Sequence, residues 1–234
     1  MNLAVIYQKH IKEISLALTE ESTGSEPAAA RAYHALERMI VTLELSPGGF
    51  VTEGSIIDKL GLGRTPVREA IQRLAWEGLL EVRPRAGIAV AALHAGDWLR
   101  VIDARRGVEV VLARSAARFV TREAADGFHA AALSMQKAVI AGDVLAFLTA
   151  DKAMDEALAL AADNVFAARV AAPLQTHSRR FWYRYRADTG LADSAAHHVA
   201  LIQSILDGDE EVAGANADRL MSLLRSLAEA AATR

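Results

Sequence analysis

Residues 63–87, GRTPVREAIQRLAWEGLLEVRPRAG, restrict this chain to few folds. Thr65 and Pro66 predict a sharp helix start, a run of about thirteen residues follows, and Gly78 ends it. LLEV then reads as a strand, Arg83-Pro84-Arg85-Ala86-Gly87 as a tight basic turn, and IAV as a second short strand. Upstream, Thr52 can cap a short helix beginning at Glu53, and Gly61 suits the left-handed residue after its end. Leu62 and Gly63 leave only the short turn such a motif needs before Thr65 caps the second helix. The sum is a helix-turn-helix with a β-hairpin wing, a unit that places one helix in the major groove of DNA.

On the second helix Val67, Ala70, Ile71, Leu74 and Ala75 recur at the spacing of one buried stripe. Thr65, Arg68, Glu69, Gln72 and Arg73 are left to face outward. Arg68 and Gln72 share a face in the half nearest the helix N-terminus. Arginine suits guanine O6/N7 or phosphate, and glutamine suits adenine N6/N7 or phosphate. A solvated helix face would carry similar charges, but the short preceding helix, the turn length and the basic hairpin together favour DNA. Arg83 and Arg85 read as wing contacts to phosphate or minor groove, with Gly87 permitting close backbone approach, rather than as a plain surface hairpin.

The run R-T-P-V-R-E-A-I-Q-R-L, followed by E-G-L-L and a basic hairpin ending in G-I-A-V, resembles the winged helix of GntR-type bacterial regulators. The lead-in YHALERMIVTLELSPGGFVTEGSIIDKLGLG fits the same pattern, so the resemblance covers residues 31 to about 92. It implies DNA contacts at Arg64, Thr65, Arg68 and the wing residues Arg85 to Gly87, with Arg73 as a further phosphate contact.

The 234 residues allow one large or two small domains, and 52% hydrophobic with 24% charged residues supports a packed core. Cysteine is absent, which excludes disulfides and thiolate metal sites and suits a reducing compartment. No uninterrupted apolar run of membrane-spanning length and no signal-like start is found, so a cytoplasmic protein without a membrane partner is expected. The net charge of −3 is low for a DNA binder, yet residues 31–92 carry eight Lys/Arg against seven Asp/Glu. So weak a charge argues for a homodimer reading two half-sites of double-stranded operator DNA.

Residues 1–27 read as a poorly anchored extension, 28–92 as the winged helix-turn-helix domain, and 93–97 as a linker. Residues 98–231 read as an all-α bundle. The fold class is thus mostly α, with one small β-hairpin. Breaks near Asp126-Gly127, Ala141-Gly142-Asp143, Asp163-Asn164, Asp188-Thr189-Gly190 and Asp207-Gly208-Asp209 delimit about six helices.

VIDARRGVEVVLARSAARF, DKAMDEALALAADNVFAARV and HHVALIQSILDGD resemble the FCD effector domain of the FadR subfamily of GntR regulators, over roughly 98–231. The resemblance implies a helical cup for a small ligand, often a carboxylate, and in many members a divalent metal held by one Asp and three His. Here Asp151 matches, Asp155 stands in a His place, His198 matches, and the last His position falls at Leu220. Asp151, Asp155 and His198 would suit Mg²⁺ or Mn²⁺ better than Zn²⁺. Arg105, matching the family's ligand-facing Arg, would clamp a carboxylate bidentately. The plainer alternatives are solvated acids at 151 and 155, a surface His198, and a surface pair of Arg105 with Glu109. His177 and Arg179-Arg180-Phe181-Trp182-Tyr183 form a basic and aromatic cluster suited to a cavity wall or a dimer interface. The expected function is an effector-controlled transcriptional repressor that is not an enzyme. Its rivals are a ligand-independent dimeric DNA-binding protein and a metal-dependent hydrolase built on Asp151, Asp155 and His198.

Overall fold

The computed structural model describes residues 26–186 and 190–233. Most of the extension at 1–27 and the break at 188–189 therefore lie outside the described residues. Two cores organise what is described, one on each side of residues 91–94.

The first core is built by α1 (Ala28–Val41), β1 (Phe50–Val51), α2 (Glu53–Leu60), α3 (Arg64–Trp76), β2 (Leu80–Arg83) and β3 (Gly87–Val90). In α1 the residues Ala32, Leu36, Met39 and Ile40 recur every three or four positions, and they meet Ile56, Val67, Leu74 and Leu79 in its centre. Thr52 caps α2 through a reciprocal pair with Ser55, each side chain accepting from the other's backbone N–H at 3.1 Å. Gly61 ends α2 with φ +63°. The start of α3 differs from expectation. Gly63 holds the cap position without a side-chain bond, and Thr65 and Pro66 lie inside the first turn. Pro66 still costs nothing there, because the first four N–H groups of a helix have no intrahelical acceptor.

The sheet is antiparallel in the order β1-β3-β2, with Leu80 opposite Val90 and Phe50 opposite Ala89. Sequence patterning indicates only the hairpin. The two-residue β1 carries too little pattern to be seen, and it pairs because the far edge of β3 is open to it. At the wing tip Arg85 has φ +64° and Gly87 φ +100°. A Cβ on Gly87 would lie 2.9 Å from the Val51 carbonyl oxygen, which fixes glycine there. Gly87→Ala is expected to cost about 1–3 kcal/mol of backbone strain and to push the wing off β1. DNA affinity by fluorescence anisotropy should fall while the helical core melts unchanged; retained affinity would show that the wing is not used.

The second core belongs to α4 (Ala95–Phe119), α5 (Arg122–Ala141), α6 (Val144–Ala161), α7 (Val165–Tyr185), α8 (Gly190–Leu206) and α9 (Glu210–Ala232). Asp143, Asn164 and Asp209 cap α6, α7 and α9 with their side chains, at the breaks the sequence marks. Two boundaries move. α4 takes in Ala95–Asp97, shortening the linker to 91–94. The break expected at Asp126-Gly127 lies instead at Val120-Thr121, where Thr121 accepts from Ala124 N–H. Gly127 runs inside α5, against the Ala157 methyl of α6. No helix among the described residues is long and apolar enough to cross a membrane.

The two cores touch along α1 and α7. Val41 of α1 is buried in the helical core. From α7, His177 Nε2 donates to the Glu77 carbonyl at 2.8 Å and Arg180 donates to the Ala91 carbonyl at 2.6 Å.

Candidate functional site

The outward face of α3 carries Arg64, Thr65, Arg68 and Gln72, all exposed. Arg64, Arg68 and Gln72 follow at four-residue steps, so they line one edge of the helix. Glu53 at the start of α2 reaches both arginines, at 3.6 Å from Arg64 and 2.8 Å from Arg68. Arg83 lies on the wing beside Glu81 at 2.7 Å with its guanidinium over the Phe50 ring, and Arg85 is exposed at the tip. Arg73 is not brought to this face. Nine positions after Arg64 the helix has turned half a revolution, and Arg73 stacks 3.7 Å over the Tyr33 ring and pairs with Glu77 at 3.0 Å.

In the helical unit Arg105, Asp151, Asp155 and His198 do converge, and all four are buried. The plainer reading of Arg105 as a surface pair is corrected in one respect: it does pair with Glu109 four residues on, at 2.6 Å, but inside the core. Gln175 donates to the same Glu109 oxygen at 2.9 Å, and Arg105 lies 3.7 Å from Asp155. His198 Nε2 lies 2.8 Å from Asp151 and Nδ1 2.6 Å from the Ser194 carbonyl. Both neighbours offer acceptor oxygens, an arrangement that favours a ring donating from both nitrogens. Burial disfavours the charge of each partner. The hydrogen bond and mutual attraction outweigh that, holding the Asp151 carboxyl well below the usual range and raising the His198 ring.

Arg179, read from the sequence only as part of a cluster suited to a cavity wall or a dimer interface, lies at the centre of this network. Its guanidinium lies against Asp155, 3.4 Å from Asp151, 3.1 Å from the Thr176 hydroxyl and 3.8 Å from Glu37. Glu37 belongs to α1, where Lys152 and Thr176 also donate to it. Burial opposes the Glu37 charge, and Lys152 and Arg179 overcome it, lowering its pKa. Asp155 behaves oppositely: burial and the adjacent Asp151 push its carboxyl up to about 7, although Arg179 and Arg105 pull it down. Arg180, fully buried and without a carboxylate partner among the described residues, is pushed down to about 10 by burial. A signal for these residues does exist. Gln175, Ser178, Arg179 and Trp182 occupy the i, i+3, i+4, i+7 stripe where a buried helix face is ordinarily apolar.

A metal ion does not fit this donor set. Among the described residues no three His, Asp or Glu side chains are placed to hold one. Arg179 occupies the space between the two aspartates, and Leu220 is buried in the apolar core.

Arg179 lines three cavities: a groove of about 150 Å³ beside Tyr33, Asp155 and Gln175, and an inner and an outer one. The inner one, lined by Arg105, Phe147, Asp151, Trp182 and His198, encloses about 20 Å³, the space of a single water. The outer one, of about 460 Å³, lies in the cleft between α1 and α6 and is lined by His34, Arg38, Val41, Leu145 and Lys152. Arg179 and Leu148 line both.

The profile described as "Bacterial regulatory proteins, gntR family" matches residues 28–90, and that of the FCD domain matches residues 100–223. An HTH-type transcriptional regulator encoded in the TAR-I ttuE-ttuC' intergenic region of Agrobacterium vitis is 35% identical, over 44% of this chain and 63% of its own length. The chain thus spans less than two thirds of that relative. A probable D-xylose utilization operon transcriptional repressor of Paenarthrobacter nicotinovorans is 28% identical over 75% of this chain and 80% of its own. The solved structure of E. coli McbR/YncC superposes with a TM-score of 0.75 at 16% identity, covering 88% of this chain and 99% of that one, a likeness of fold.

Proposed function

The chain belongs to the gntR family of bacterial regulatory proteins, with an FCD domain after the DNA-binding domain, and on that premise we propose a transcriptional repressor released from its operator by a small carboxylate. It acts as a homodimer, one winged helix per half-site. The observation that carries the reading is the exposed edge Arg64, Arg68 and Gln72 on α3, followed in the chain by a wing that exposes Arg83 and Arg85. The helix supplies donors for base edges and the wing supplies phosphate or minor-groove contacts.

Arg105 and His198, buried and cationic, supply anion-binding groups in the helical unit, with Asp151 and Asp155 orienting them. A purely dimerising bundle would have a dry apolar interior, and this one buries three carboxylates, Glu109, Asp151 and Asp155, with their cations. A hydrolase has no support: Asp151 is engaged by His198 and Arg179, no water-activating metal fits, and the relatives above are named as regulators.

Selection from a random duplex library by the full-length protein should enrich an inverted repeat whose half-sites lie about one helical turn, roughly 34–36 Å, apart or a multiple of it. Equal affinity for enriched and unselected DNA at every salt concentration would end the proposal. Reciprocity gives a second test. A carboxylate that weakens operator binding, typically by about 5- to 150-fold, must itself bind the operator complex more weakly by the same factor. Titrations in both directions check it, and unequal factors would break the linkage.

A further inference from the structure

We infer that Arg179 does in this chain what a metal ion would do, binding the effector's carboxylate from the cleft between α1 and α6 in exchange for Glu37. The inference rests on the carboxylate reading above and names its receptor residue, its route and its coupling to the DNA-binding unit.

Size makes the first argument. The inner cavity of about 20 Å³ admits no organic acid, whereas the cleft of about 460 Å³ lies within the usual range for small-ligand sites. Arg179 and Leu148 are the partition between them. A ligand arriving through the cleft meets Arg179 before it meets Arg105 or His198, passing Lys152 and Arg38 at the cleft wall.

Charge makes the second. The guanidinium sits between Asp151 and Asp155, the two aspartates aligned with metal-ligand positions, and supplies the positive charge they need. Of its carboxylate partners Glu37 is the most distant, at 3.8 Å, and the one that comes from the other core. An incoming carboxylate has the charge and planar fork of Glu37, so one can replace the other on Arg179 and leave that guanidinium with the same number of carboxylate partners. Lys152 and Thr176 remain to receive Glu37.

Connectivity makes the third. The helix that carries Arg179 also carries Thr176, His177 and Arg180, whose bonds to Glu37, Glu77 and Ala91 hold the DNA-binding unit. Loss of the Glu37–Arg179 contact therefore acts where the two cores are joined.

The test is calorimetric titration of the full-length protein with acetate, succinate, citrate and benzoate, with and without chelator. The variants are Glu37→Gln, Arg179→Lys and Arg105→Lys. The expected result is chelator-resistant binding of at least one probe, weakened roughly tenfold or more by Arg179→Lys, which keeps the charge but loses the fork. Glu37→Gln should tighten that probe severalfold, because it removes the competitor; a merely structural Glu37 would weaken it or leave it unchanged. Should Arg179→Lys fold poorly in circular dichroism, the sign of the Glu37→Gln effect decides. Binding that needs added Mn²⁺ or Zn²⁺, or an unaltered or weaker affinity in Glu37→Gln, overturns the inference. Wild-type affinity in Arg179→Lys with loss in Arg105→Lys overturns the Arg179 assignment and leaves the carboxylate reading standing. No binding of any probe ends both.

Discussion

Asp151→Ala is expected to lower the stability of the helical unit by about 3–5 kcal/mol, the usual cost of removing one partner from a buried ion pair. Asp151 receives His198 at 2.8 Å and Arg179 at 3.4 Å, and it is only 6% exposed, so its loss leaves two buried cations short of a carboxylate. For a chain of this size each kcal/mol shifts Tm by roughly 2–4 °C, so a fall on the order of 6–20 °C should appear in a thermal scan. Asp151→Asn keeps the shape and should lose less, since its amide oxygen can still accept from His198. A fall of under about 1 kcal/mol for Asp151→Ala would mean that solvent reaches the site and that the network is not buried in solution.

The same pair sets a pH dependence whose sign is determined. The Asp151 carboxyl is depressed, so its contribution is present above the ordinary aspartate value of about 3.9 and is lost as pH falls. The His198 ring is raised, so its contribution is present below about 6.5 and is lost as pH rises through its folded value. Coupling energy from an Asp151/His198 double-mutant cycle should therefore be fully developed between about pH 4 and 6.5 and decline on either side.

Local chemistry is what the sequence declares. The Thr52 cap and the left-handed Gly61 each depend on a few neighbouring residues, and both can be placed without coordinates, whereas the crowding of Gly87 against Val51 needs the unseen β1. Longer-range features fade in proportion to the distance spanned. Arg179 meets Glu37 across 142 positions of chain, and nothing in either local pattern names the other. Arg73 shows a subtler limit. Being charged and on the DNA-binding helix, it reads as a phosphate contact, and only its angle from Arg64 and the presence of Tyr33 reveal the turn toward α1. Gly127 misled for the opposite reason. A glycine after an aspartate suggests a break, yet the helical backbone passes through it because Thr121 already provides the start.

Replacing both Arg64 and Arg68 by alanine should abolish operator selection, with an expected loss of roughly 2–6 kcal/mol if each contributes about 1–3. Simple addition is not expected, because both arginines share Glu53 and residues with a common partner are energetically coupled. In the free protein Glu53 holds the two guanidiniums. On DNA it must yield them to phosphate or base edges, so part of the interaction with DNA is offset by a carboxylate released beside the polyanion. Glu53→Gln removes that cost. It should raise affinity for operator and random DNA alike, while Arg68→Ala should weaken the operator more than random sequence if Arg68 reads a base. Anisotropy titrations over a range of salt concentrations separate the two cases, since a lost phosphate contact lowers the slope of log K against log salt by about one and a lost base contact leaves it. Equal losses on both DNAs with a reduced slope would make Arg68 a phosphate contact, and sequence reading would then pass to Gln72 and Thr65. Unchanged affinity for the double variant would remove α3 from the interface altogether.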